Sequence, residues 1–182
     1  MDAQAGLRET LIVEALRMLE AGSEEPTLRA VARAAGVSAM APYRHFPDKA
    51  GLMAAVANRG FEMLRDMLAV ADDKPDPRDA LFAQGMAFID FARANPALFR
   101  LMYSHQYGQA GTDAVRASYD VLAERVAGIV PANAVAAATL ACRSLVQGMA
   151  TIELAGRLAP AKPDDIAVAL RLFVSGLGAR PE

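Results

Sequence analysis

The chain has 182 residues, room for one large or two small domains, with 54% hydrophobic residues and a formal net charge of −2. No apolar run approaches the roughly 18 residues of a membrane span, and the N-terminus MDAQAGLRET lacks the basic-then-apolar order of a secretory signal. A single cysteine, Cys142, cannot close an intrachain disulfide and fits a reducing cytoplasm; the two histidines, His45 and His105, are far apart, so no metal site is expected.

Residues 7–21 carry Leu7, Leu11, Ala15, Leu16 and Leu19 in one stripe, which predicts an amphipathic helix ended by Gly22. Thr27 follows Pro26 and precedes Leu28, Val31, Ala32 and Ala35 at helical spacing, where its hydroxyl can cap the helix. Gly36 can take a positive φ and turn the chain, Val37 anchors the turn, and Ser38 opens a second helix expected to run to His45. Pro42 is awkward inside a helix, but it lies in the first turns, where intrahelical bonding is only beginning. Phe46 is expected in the core, Pro47 as a stop, and Asp48 as the cap of a longer helix over 48–71.

Within residues 27–49 four cations, Arg29, Arg33, Arg44 and Lys49, face one anion, Asp48, a local net of +3 in an acidic chain. Tyr43, Arg44, His45 and Lys49 cluster around the end of the second helix, and all can donate to phosphate. Positive charge concentrated on one segment is what attraction to DNA requires.

The stretch DDKPDPRD (72–79) reads as a loop. Helices are predicted over 80–94, from Pro96 after the Asn95-Pro96 break, over 112–130 with Thr112 or Asp113 as cap, over 132–158 after Pro131, and from Asp164 onward. No strand pattern of any length occurs, so the expected fold is all-α with about nine helices. Walker, HExxH and GxSxG motifs are missing and no nucleophile–base pairing is recognisable, so an enzyme is not expected.

Residues 7–65 resemble the DNA-binding domain of the TetR (TetR/AcrR-type) family of transcriptional regulators. The resemblance is carried by TLRAVARAAGVS and by PYRHFPDKAGLM, the latter close to the family's Tyr-x-His/Tyr-Phe-x-x-Lys-x-x-Leu signature. It implies that Thr27 and Lys49 hold phosphates and that Tyr43 and His45 touch the backbone or the groove edge. Ser38, Ala39, Met40 and Arg44 would face bases or flanking phosphates, with Ala39 and Met40 suited to thymine methyls and Arg44 to a guanine edge. Arg29 belongs to the same implied DNA-binding set.

NPALFRLMY and LVQGMATIELAGRL resemble a TetR subgroup with a Trp and a His shortly before a Gly. Here Arg143 and Gln147 stand in those places and only Gly148 agrees, so the subgroup's His is no guide to a ligand. The resemblance further implies a helix-turn-helix domain over 1–52 and a helical regulatory and dimerisation domain over 53–182, with α-helix 48–71 crossing between them. A pocket for a small, largely apolar effector is implied, with Met63, Met67, Phe82, Met86, Phe99, Met102, Tyr103, Tyr119, Gln147 and Met149 as candidates; plain core packing is the alternative for each.

The family also implies a homodimer through the last two helices. Ala136, Ala137, Gly148, Gly176 and Gly178 there suit close packing, either against a second copy or within the subunit. The expected function is a cytoplasmic, sequence-specific regulator on a palindromic double-stranded operator, a repressor released by its effector, with no cofactor, metal or membrane partner. The alternative is a helical interaction protein of the same fold without operator binding.

Overall fold

The computed structural model describes residues 3–22, 25–104, 106, 113–156 and 163–178. Among these are eight α-helices: α1 (Ala3–Glu20), α2 (Leu28–Ala34), α3 (Lys49–Ala71), α4 (Pro77–Ala94), α5 (Pro96–Met102), α6 (Asp113–Ala127), α7 (Val135–Leu154) and α8 (Pro163–Gly176). Two 3-10 turns, Pro42–Arg44 and Ala132–Ala134, complete the described elements, and no strand is found among the described residues. The fold is therefore all-α, as the periodicity predicts.

Local chemistry sets the helix ends. α4 starts earlier than the proline-rich stretch implies, because the Asp76 carboxylate accepts the Arg78 and Asp79 amides at 2.7 and 3.1 Å and Pro77 occupies the first turn. Ala132 to Ala134 form a 3-10 turn before α7, and α7 stops at Leu154, just short of Gly156 at φ +66°. The expected cap at Thr112 lies outside the described residues, and the last helix, expected from Asp164, starts at Pro163.

The chain forms two compact units. The first comprises residues 1–62 and 95–114, the second residues 63–94 and 115–182. α3 thus contributes its N-terminal part to one unit and its C-terminal part to the other. α5 belongs to the first unit, although it follows α4 in sequence. There the Glu20 carboxylate at the end of α1 accepts the amides of Leu98 at 2.7 Å and Ala97 at 3.4 Å, satisfying the free N–H groups of α5.

The first unit buries Leu11, Ala15 and Leu19 of α1, Leu28 and Val31 of α2, Phe46, then Leu52, Met53, Val56 and Phe61 of α3, and Leu98, Phe99 and Met102 of α5. Each side chain of this kind contributes roughly 1.5–3 kcal/mol when fully buried. Tyr103 closes the cluster, edge-on to Phe61 at 5.7 Å and tilted against Phe99 at 4.8 Å.

In the second unit Leu81, Val126, Val130, Cys142 and Val174 form the core cluster. Asp72, just past α3, is gripped by Arg125 through Nε at 2.7 Å and Nη2 at 2.6 Å, and it also accepts the Gln84 amide at 2.7 Å. Arg78 donates to the Val174 and Leu177 carbonyls at the C-terminus of α8, the end where a cation is favoured.

Residues Ala132–Leu154 are long and apolar enough to cross a membrane by length and composition alone, contrary to the sequence expectation that no such run exists. Alanine raises the apolar content here, yet the run contains Arg143 and packs Cys142, Val146 and Ala150 into the second unit.

Gly60 marks the tightest approach in the first unit. A Cβ there would lie 2.5 Å from Met102 Sδ and 3.0 Å from Leu98 Cδ1, and Met102 is fully buried. Gly60→Ala is expected to destabilise the protein by about 1–3 kcal/mol through overpacking, read as a lower urea midpoint at unchanged slope; an unchanged midpoint would show that Met102 has room to move.

Candidate nucleic-acid interface and apolar cavity

Thr27 adopts extended backbone, and its hydroxyl oxygen accepts the Ala30 amide at 3.2 Å, capping α2. The far end closes with paired bonds: the Val37 amide donates to the Ala32 carbonyl at 3.0 Å and the Gly36 amide to the Arg33 carbonyl at 3.2 Å. This Schellman arrangement needs a left-handed residue, and Gly36 supplies it at φ +69°. Nothing crowds the position of its missing Cβ, so backbone angle alone calls for glycine.

The segment after the turn departs from expectation. Ser38 to His45 is not an α-helix. The Ala41 amide donates to the Ser38 carbonyl at 2.9 Å and the His45 amide to the Pro42 carbonyl at 2.9 Å, both three residues back, and only Pro42–Arg44 is regular, as a 3-10 turn. Pro42 is the cause. It has no N–H to reach Ser38, its ring would crowd that carbonyl in an α-helix, and the Ser38 carbonyl takes Ala41 instead. Pro42 and Phe46 are both buried, and the Arg8 guanidinium lies 5.4 Å from the centre of the Phe46 ring.

This tight winding leaves the candidate side chains outward. Thr27, Arg29, Ser38, Ala39, Met40, Tyr43 and Arg44 are exposed, Met40 by 67% and Tyr43 by 42%. His45 and Lys49 are half-buried. Among the described residues Arg29, Arg33 and Arg44 have no ion pair. Lys49 in the first turn of α3 pairs with Glu25 at 2.7 Å, while Asp48 caps that helix by accepting the Gly51 amide at 2.7 Å. The segment therefore presents uncompensated guanidinium groups beside an exposed thioether and phenol.

The second unit holds an open-mouthed apolar cavity, with about 560 Å³ of empty space once the solvent at its mouth is included. Its lining comes from α3 (Leu64, Leu68), α4 (Leu81, Gln84, Gly85, Phe88), α6 (Ser118, Tyr119, Leu122), α7 (Cys142, Arg143, Leu145, Val146) and α8 (Leu170, Phe173, Val174). Of the pocket residues expected from sequence, only Tyr119 lines it. Met63, Met67, Phe82, Met86, Gln147 and Met149 lie in the same unit but outside the lining. Phe82 instead carries the Arg171 guanidinium 4.1 Å from its ring centre. Phe99, Met102 and Tyr103 belong to the first unit, where they pack into its core.

Side-chain type misleads here, because a helix places methionine on core and surface alike, and Met67 is exposed. The missed residues include Gln84, Ser118 and Arg143. One signal existed: Gln84 is a polar residue at a core position of the apolar run ALFAQGMAFIDF, where a buried amide needs a reason. Burial pushes the Cys142 thiol in the lining up to about 11 from its ordinary 9.0.

The sequence pattern described as "Bacterial regulatory proteins, tetR family" matches residues 11–56, and that described as "Tetracyclin repressor-like, C-terminal domain" matches residues 81–177. The nucleoid occlusion factor SlmA of Photobacterium profundum is 32% identical over 105 residues, 54% of this chain and 52% of that protein. The chain thus spans about half the length of the curated relatives it matches. A protein of unknown function from Rhodococcus sp. RHA1 is 30% identical, with a TM-score of 0.79 over 95% of this chain and 96% of that one. A TetR family transcription regulator from Marinobacter aquaeolei VT8, at 17% identity, shares the fold with a TM-score of 0.67 over 95% of this chain and 96% of its own.

Tyr43→Ala and Lys49→Ala are each expected to weaken binding to duplexes of any sequence, and Lys49→Ala alone to reduce the log–log salt slope, by about 0.9 for the phosphate left unneutralised. Fluorescence anisotropy across a salt series measures this; unchanged affinity would remove Tyr43 from the interface, and an unchanged slope would remove Lys49. The raised Cys142 pKa keeps the thiol neutral at pH 8, so disulfide reagents should label native protein far more slowly than urea-unfolded protein. The thiol's contribution to stability should be fully present below pH 9.0 and lost as pH rises through about 11. Equal labelling rates would place Cys142 at the surface.

Proposed function

The chain belongs to the TetR family of non-enzymatic transcription regulators, with a DNA-binding N-terminal domain, and from that premise we propose that it is a dimeric repressor released from a palindromic operator by a small, largely apolar ligand. The observation that carries the DNA side is the exposed Arg29, Arg33 and Arg44, without ion pairs among the described residues, on the same segment of an acidic chain as exposed Met40 and Tyr43. Guanidinium groups without carboxylate partners retain their charge for phosphate and guanine edges. Lys49 exchanges Glu25 for a phosphate oxygen when DNA arrives, and Met40 supplies apolar contact to thymine methyls. Functionally, residues 1–52 read DNA and residues 53–182 sense the effector and pair the subunits, in the cytoplasm.

Pairing is supported by apolar side chains left exposed on the last two helices. Leu140 and Ile152 on α7 and Val168 and Leu172 on α8 are exposed by 45–71%, all within the second unit. A second copy would cover them symmetrically and present two reading segments to a two-fold operator. The cavity supports effector binding. Its lining includes Leu64 and Leu68 of α3, the helix whose first turn holds Lys49. A ligand there shifts DNA affinity only by the difference in its own affinity between the bound and released states.

Selection from a random duplex pool should enrich palindromes with half-sites about one helical turn apart; a pool left unenriched would favour an interaction protein without an operator. Leu172→Asp should convert the dimer to monomer in sedimentation and weaken operator binding by roughly tenfold or more. A dimer of unchanged strength would place the interface elsewhere.

A further inference from the structure

The chemistry of the cavity's polar groups identifies the class of its occupant. Among the described residues Arg143 is the one charged side chain in the lining; no aspartate, glutamate, lysine or histidine accompanies it. Its guanidinium carbon lies 3.6 Å from the centre of the Tyr119 ring, which holds it by cation–π attraction. Among the same residues Arg143 has no ion pair, and its buried Nε has no hydrogen-bond partner. Gln84 supplies the complementary orphan: its Oε1 is buried without a partner, and the residue is 2% exposed.

The Gln84 amide cannot reverse to hide that oxygen. Its Nε2 donates to Asp72 Oδ1 at 2.7 Å, and an oxygen turned toward that carboxylate would be repelled. Asp72 in turn is neutralised by the bidentate Arg125, so its charge does not offset Arg143. The cavity is thus apolar, carries one uncompensated cation with an idle donor, and holds one idle acceptor. An idle buried donor and acceptor each cost stability until something pairs with them.

We propose that the cavity takes a compact apolar monocarboxylate, its carboxylate on the Nε side of Arg143 and its hydrocarbon body against the Leu, Val and Phe lining, with Gln84 Oε1 available to a hydroxyl on the ligand. The proposal rests on the cavity being the effector site. A guanidinium edge meets a carboxylate with two parallel bonds, which an alcohol cannot reproduce and an amine opposes.

The test uses the full chain and three probes of equal length: octanoate, 1-octanol and octylamine, followed by calorimetric titration. Octanoate should bind at least roughly tenfold tighter than octanol, with octylamine weakest. Arg143→Met, which keeps the stem volume, should bring octanoate down to the octanol level and leave octanol unchanged. Arg143→Lys should restore part of the affinity, and a melting curve for each variant confirms folding. Octanol binding as tightly as octanoate, or octanoate unaffected by Arg143→Met, would overturn the carboxylate assignment while leaving an apolar effector site intact. Failure of all three probes to bind would overturn the effector site itself.

Discussion

One helix has to satisfy two separate cores. α3 is 23 residues long, and its buried positions Leu52, Met53, Val56, Ala57, Gly60, Phe61, Leu64 and Leu68 recur at helical spacing from its first turns to its last. The early positions fill the first unit and the late ones belong to the second. Each end is fastened by local chemistry. Asp48 caps the start beside Lys49, and Asp72 after the end is locked by Arg125 and Gln84. The cationic segment 27–49, which runs into α3, and the cavity therefore both adjoin a single element, whose apolar stripe allows no shift without less burial on both sides.

Much of this is legible in the sequence. The Thr27 cap, the Gly36 turn, Asp48 as the cap of α3 and the Asn95-Pro96 break each rest on a local rule that tertiary context does not override. The segment from Ser38 to His45 reads as a helix because its composition is helical apart from Pro42, and one missing N–H is enough to tighten it into turns. The exposure of Met40 and Arg44 follows from that tightening and not from helical periodicity. The attachment of α5 to the first unit is not legible, since it depends on Glu20, far away in sequence, capping the amides of Ala97 and Leu98. The cavity is the least legible part. It is lined mainly by leucine and valine that resemble any core, and its polar members are single residues on helices of several turns whose inward face only packing decides.

Charge and apolar surface are unevenly distributed. In the second unit Arg93 reaches Glu153 and Asp90, and the hydrogen bond it donates to Glu153 foremost raises its pKa above the ordinary arginine value. Such pairs leave little free charge where they occur. Among the described residues Arg29, Arg33, Arg44 and Arg143 stand outside this pattern, three on the cationic segment 27–49 and one in an apolar cavity. Among the described residues, guanidinium groups without ion pairs in these two settings, and the exposed leucines of α7 and α8, are the three surfaces on which the proposed partners rest. DNA, a carboxylate and a second copy would complete them.

A link between the cavity and the cationic segment through α3 is the expectation that follows from the proposed function. It is tested most directly by titrating a selected operator duplex into the protein with and without saturating octanoate, and octanoate into the protein with and without the duplex. Weaker DNA binding is expected with the cavity filled, and an equal factor of weakening in octanoate affinity when DNA is bound, as linkage requires. Octanoate bound in the cavity with both affinities unchanged would contradict it.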